Sequence, residues 1–193
     1  KDLKGSLHVI PFESQILQGN PLGDPTLRDL IVYTPPGYDK TKEYPLFVDL
    51  AAYTSSGPAR TNWKPFGLNM PERLDNLISK NQIGPVITIF PDCFTSFAGN
   101  QYNNSTATGS YMDYLNKELI PEVEKQFSIH PSPKKRAVFG KSSGGYGALM
   151  QGLLKSEEWG AIACLSGDAY FEYAYLADMP ILLRVLQKYE CSV

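Results

Sequence analysis

The sequence predicts an α/β fold, with a mostly parallel central sheet and helices on both of its faces. Two observations carry this. From residue 46 onward, short apolar runs of strand length alternate with stretches of helical spacing. The Gly-x-Ser-x-Gly run at 140–144 also stands in a loop after a strand, at the edge where such a sheet binds its ligands.

The elements follow in order. Residues 7–10 and 27–33 read as two early strands in a hairpin-like pair, and 34–38 as a turn, because Pro35, Pro36 and Gly37 stop any regular element. Residues 46–50 form the next strand, and 51–62, rich in small and polar side chains, a loop. Leu74, Leu77 and Ile78 share one side of a helix over 71–80. A β-branched strand at 86–90 is bounded by Gly84-Pro85 and Pro91-Asp92. Residues 93–110 form a long polar loop, and such loops in compact domains usually serve function. A helix over 111–127 carries Tyr114, Leu115, Leu119, Val123 and Phe127 on one side, and Pro121 is expected to kink or restart it. A strand at 137–139, a helix at 144–155, a strand at 161–165 and a mostly helical stretch at 170–189 complete the chain. With no repeat or linker, residues 1–193 read as one domain.

Composition narrows the function classes. A net charge of −2 over 193 residues leaves Lys134-Lys135-Arg136 as the one sizeable basic cluster, read as a solvated loop, so no nucleic-acid partner is expected. No apolar run approaches the roughly 20 residues that span a bilayer, so no membrane partner is expected either. Cys93, Cys164 and Cys191 lack metal-ligand spacing, and no metal is expected. The chain opens on Lys1 without a visible leader, which leans towards the cytoplasm and leaves secretion open. A homo-oligomer is equally open.

The most informative residues are Gly140-Lys141-Ser142-Ser143-Gly144. They follow a strand and precede a helix, the setting of the Gly-x-Ser-x-Gly elbow that lifts a nucleophilic serine out of a sharp turn. Gly140 and Gly144 tolerate the crowding, and the amide of Ser143 opens the helix beside the Ser142 hydroxyl, where an oxyanion would sit. A phosphate-binding loop needs glycine where Lys135 stands, and Gly144-Gly145-Tyr146-Gly147 is not a dinucleotide fingerprint, so no cofactor is expected. A second oxyanion amide is expected from the loop after residue 50, at Tyr53, with Ala52 and Thr54 beside it close to the substrate. Gln101 and Tyr102, within the amide-rich stretch 100–104, are candidate substrate contacts. Asp168, at the same sheet edge, is a candidate triad acid or substrate contact against a turn cap. Asp92 reads as a turn cap, and His8 and His130 as structural or solvated.

In family order, Val32-Tyr33-Thr34-Pro35-Pro36-Gly37-Tyr38, Tyr44-Pro45-Leu46-Phe47-Val48-Asp49-Leu50, Phe90-Pro91-Asp92, Glu118-Leu119-Ile120-Pro121 and the elbow through Leu149 resemble the putative-esterase family. These are α/β-hydrolases, among them S-formylglutathione hydrolase, feruloyl esterases, mycolyltransferases and enterochelin esterase-like proteins. The resemblance implies the α/β-hydrolase fold, Ser142 as nucleophile, and oxyanion amides from Ser143 and the Tyr53 region. Two departures stand out. Ala51-Ala52 replace the usual His-Gly-like pair, and no histidine follows Ser142, where the family places an acid and then a histidine. The expectation is a serine carboxylesterase acting on a small-molecule ester or thioester, truncated at its C-terminus with the last strands missing. The alternatives are a base from another chain or an unusual position, or a non-catalytic binding or assembly module.

Overall fold

Residues 3–190 are described by a computed structural model, and they build one six-stranded sheet with helices on both faces. Lys1 and Cys191 lie outside the described residues. The chain begins with β1 (Ser6–Glu13) and β2 (Leu27–Thr34), an antiparallel pair in register from Ser6 opposite Thr34 to Glu13 opposite Leu27. Then come β3 (Leu46–Leu50), α1 (Met70–Ser79) and β4 (Ile87–Phe90). The long loop after β4 carries a two-stranded ribbon, β5 (Asn104–Ser105) and β6 (Gly109–Ser110). A helical segment runs from α2 (Tyr111–Asp113) to α3 (Ile120–Gln126), and β7 (Arg136–Lys141), α4 (Ser143–Leu154) and β8 (Ala161–Leu165) follow. Two helices close the described chain, α5 (Phe171–Ala174) and α6 (Met179–Lys188).

The sheet order is β1-β2-β4-β3-β7-β8, with β3, β4, β7 and β8 parallel to one another and β2 antiparallel to β4. β3 and β4 are central, and all four residues of β4 are buried, in keeping with its three large apolar side chains and β-branched Thr88. Side-chain alternation divides the core. Leu46, Val48, Leu50, Ile87, Ile89 and Val138 face Leu115, Leu119, Val123 and Ala148 of the helices on one side. Ile31, Tyr33 and Phe90 face Leu74 of α1 on the other. At the far edge, every residue of β8 is exposed, and α6 shows Ile181, Leu182, Leu183 and Val185 to the surface.

Two local features depart from the sequence reading. Pro121 restarts the helix, as expected, but by an unexpected route: residues Tyr114–Leu119 widen into a π-helix, the Ile120 N–H bonds the Leu115 carbonyl, and α3 begins with Pro121 in its first turn. The wider turn before the proline accommodates a residue with no N–H to give, and α3 resumes around it. Arg136, assigned to a solvated basic loop, is buried at the start of β7 and pairs with Glu124 at 2.6 Å and Glu158 at 3.0 Å. α1 is fixed at its N-terminus by a reciprocal capping box, in which Asn69 Oδ1 accepts from Glu72 N and Asn69 N donates to Glu72 Oε2, both at 2.9 Å.

Leu115 is fully buried under the sheet, whereas Leu153 is largely exposed on α4. Urea denaturation is expected to show Leu115→Ala losing about 3 kcal/mol and Leu153→Ala less than about 0.5 kcal/mol.

Candidate active site

Parallel strands place the loops that follow them at one edge, and a cavity of about 1000 Å³ opens there. Its lining draws on all four such loops: Tyr53 after β3, Gln101 after β4, Ser142 and Ser143 after β7, and Asp168 after β8.

The turn from β7 to α4 is tight, with Ser142 as the single residue between strand and helix. Ser142 has φ 57 and ψ −122, a left-handed conformation that costs an L-residue about 1–3 kcal/mol. It is held by its neighbours: Ser142 N–H donates to Leu165 O at 3.0 Å, and Tyr146 N–H donates to Ser142 O at 2.8 Å. The flanking glycines are a steric requirement. A Cβ on Gly144 would overlap the Leu50 carbonyl, and one on Gly140 would lie 2.7 Å from that oxygen and 2.5 Å from the Gly144 oxygen. The Ser143 amide is the first of a twelve-residue helix, so it is one of the N–H groups a helix leaves unpaired, at the positive end of its dipole.

The Ser142 hydroxyl donates to Asp168 Oδ1 at 2.9 Å, and the Ser143 hydroxyl donates to Asp168 Oδ2 at 2.9 Å. Asp168 therefore bridges two adjacent serines, not the backbone turn that a cap would hold. Neither histidine lines the cavity. His8 bonds Thr34 Oγ1 at 3.0 Å, and His130 accepts from Ser132 N at 3.1 Å beside Glu43. Asp92 caps its turn by accepting from Phe94 N and pairs with Arg28 at 3.4 Å.

The loop after β3 lies across the mouth of the cavity. The Tyr53 hydroxyl donates to Phe97 O, its ring packs on Gly99, and Thr54 N–H donates to Ala98 O at 2.7 Å. Ala52 and Thr54 do not line the cavity: Ala52 O accepts from Ser55 N, and the Thr54 backbone is bound to Ala98. Tyr102 is also outside the lining. It is buried against Gly147, and its hydroxyl donates to Ala51 O at 2.7 Å, so it supports the loop from beneath. Gln101 does line the cavity and donates to the Tyr175 hydroxyl at 2.8 Å. Phe97, Tyr175 and the Ser143 hydroxyl escaped the sequence reading. Tyr175 lies in a segment read only as helical, and nothing in its spacing singles it out. Among the described residues, no group of three or more His, Cys, Asp and Glu side chains is arranged to hold a metal ion.

Beneath this loop, Asp49 of β3 is fully buried and accepts from Arg60 Nε at 2.9 Å, while its Oδ1 has no partner among the described residues. Burial pushes the Asp49 carboxyl up, and the Arg60 guanidinium opposes the shift.

The family described as Putative esterase matches residues 25–182, and the chain belongs to it. A CE1 ferulic acid esterase from Anaeromyces mucronatus, in complex with ferulic acid, superposes with a TM-score of 0.69 at 20% identity, over 86% of this chain and 60% of that one. The fluorophosphonate-binding serine hydrolase F of Staphylococcus aureus gives 0.64 at 17% identity, over 84% and 57%. The enterobactin esterase of Shigella flexneri gives 0.66 at 20%, over 97% and 43%. These likenesses show the α/β-hydrolase fold, and the chain spans less than two thirds of the length of each of these structures.

Removing Arg60 leaves the Asp49 carboxylate buried and unpaired. A buried acid titrating above its unfolded value destabilises the fold where it is ionised and ceases to do so once protonated, so the loss shrinks as pH falls. Chemical denaturation of Arg60→Met is expected to show a loss of about 1–3 kcal/mol at pH 8 (below the roughly 3–5 kcal/mol of a fully buried pair, since Arg60 is partly exposed) and a smaller one at pH 5.

Proposed function

We propose that the site is that of a serine carboxylesterase, which hydrolyses a small-molecule ester or thioester through an acyl-enzyme on Ser142. The observation that carries this reading is the left-handed backbone of Ser142 between β7 and α4, which directs its hydroxyl into the cavity. In this reading Ser142 Oγ bonds the carbonyl carbon as its proton passes to a base, and the carbonyl electrons move onto oxygen. The amides of Ser143 and Tyr53 hold that oxyanion. The intermediate collapses by breaking the bond to the alcohol, which takes the proton from the base. Water then repeats the sequence on the acyl-enzyme and releases the acid. The base is a histidine that residues 3–190 do not supply, because His8 and His130 are engaged elsewhere. The chemistry calls for no metal or organic cofactor. The rings of Tyr53, Phe97 and Tyr175 suit an aromatic acyl group, in keeping with the structure of the Anaeromyces esterase with ferulic acid.

A second reading, a non-catalytic binding or assembly module, draws on the partner of Ser142, which is a carboxylate instead of an imidazole. The complete gene product is expected to turn over p-nitrophenyl acetate, with Ser142→Ala lowering kcat at least about 10³-fold. Turnover that survives Ser142→Ala contradicts the assignment of Ser142. No turnover by the wild-type protein favours the module.

A further inference from the structure

Asp168 is the one charged side chain among the described residues that line the cavity, and it lies directly against the proposed nucleophile. Its loop is tightly held. Ser166 has φ 49, Ala169 N–H donates to Gly167 O at 2.8 Å, and a Cβ on Gly167 would meet Cys164 Sγ at 2.5 Å and Tyr146 N at 2.9 Å. The loop is also tied to the elbow, since Leu165 O accepts from Ser142 N. The carboxylate is therefore fixed, with a serine hydroxyl on each oxygen and a second lone pair free on each.

Two consequences follow from Ser142 being the nucleophile, on which this inference rests. A negative charge on the substrate near the scissile carbonyl meets a fixed like charge in a site with no cation in its described lining to offset it. Once Ser142 is acylated, its Oγ has no proton to give, and Asp168 Oδ1 loses its donor. A substrate hydroxyl or ammonium group next to the ester supplies a donor at that position, in the intermediate as well as the acyl-enzyme. We infer that Asp168 is a specificity-determining residue, which selects esters bearing a hydrogen-bond donor beside the scissile bond and rejects those bearing an anion there.

Three butyrates that differ in their alcohol test this on the complete gene product: ethyl, 2-hydroxyethyl and carboxymethyl butyrate, each assayed by pH-stat at pH 7.5. Rates are expressed relative to alkaline hydrolysis of the same ester. The hydroxyethyl ester is expected to exceed the ethyl ester in kcat/KM, and the carboxymethyl ester to fall at least about tenfold below it. In Asp168→Asn the carboxymethyl and ethyl esters are expected to converge to within about threefold. Wild-type protein that hydrolyses the carboxymethyl ester as fast as the ethyl ester overturns the inference, whether or not the variant folds. So does a variant in which all three esters fall in the same proportion. Failure of the wild type to hydrolyse any of them would instead count against the esterase reading itself.

Discussion

The site depends on one backbone constraint: between β7 and α4 the chain must reverse within a single residue, and Ser142 takes a left-handed conformation to do it. That conformation is unfavourable in isolation. It persists because the parallel pairing of β3, β7 and β8 leaves it no room to relax. Leu50 O presses on Gly144 from one side, and Leu165 O holds Ser142 N from the other. The same pairing that buries Val48 and Val138 therefore also fixes where the hydroxyl of Ser142 points. Stability and function are coupled here through the sheet.

The loops around the elbow are secured by different means. The segment after β3 is held from below by the Tyr102 hydroxyl on Ala51 O and by the buried Asp49–Arg60 pair, and from the side by contacts to residues 97–99. The segment after β8 is short and tight and carries Asp168 to the two serines. The long loop after β4 supplies most of the polar lining, and its amides are partly paired within the protein, as in Gln101 to Tyr175. A rigid sheet edge with variable loops above it is the usual arrangement for presenting a reactive group.

Much of this was legible in the sequence, for physical reasons. The strands at 46–50 and 161–165 appear with the bounds expected, because short apolar runs between turn residues have few alternatives. The tight turn from β7 to α4 was legible because glycines flank Ser142 at 140 and 144, where a Cβ would overlap neighbouring backbone. Long-range contacts were not. Tyr102 was read as a substrate contact because its neighbours are polar, yet its ring packs on Gly147, a contact between loop and helix that no local pattern encodes. The basic triplet at 134–136 hid a buried arginine, because its acidic partners Glu124 and Glu158 lie more than ten residues away on either side. Asp168 was placed at the correct edge, but its bridge to both serine hydroxyls follows from how β7 and β8 pair.

The central claim is that Ser142 is a nucleophile made reactive by its place in the fold. The most direct measurement is the intact mass of the protein after exposure to a fluorophosphonate, followed by peptide mapping. The account predicts one adduct per chain of the complete gene product, on the peptide containing Ser142, and none after denaturation. An unmodified native protein, or an adduct on a different residue, would contradict it.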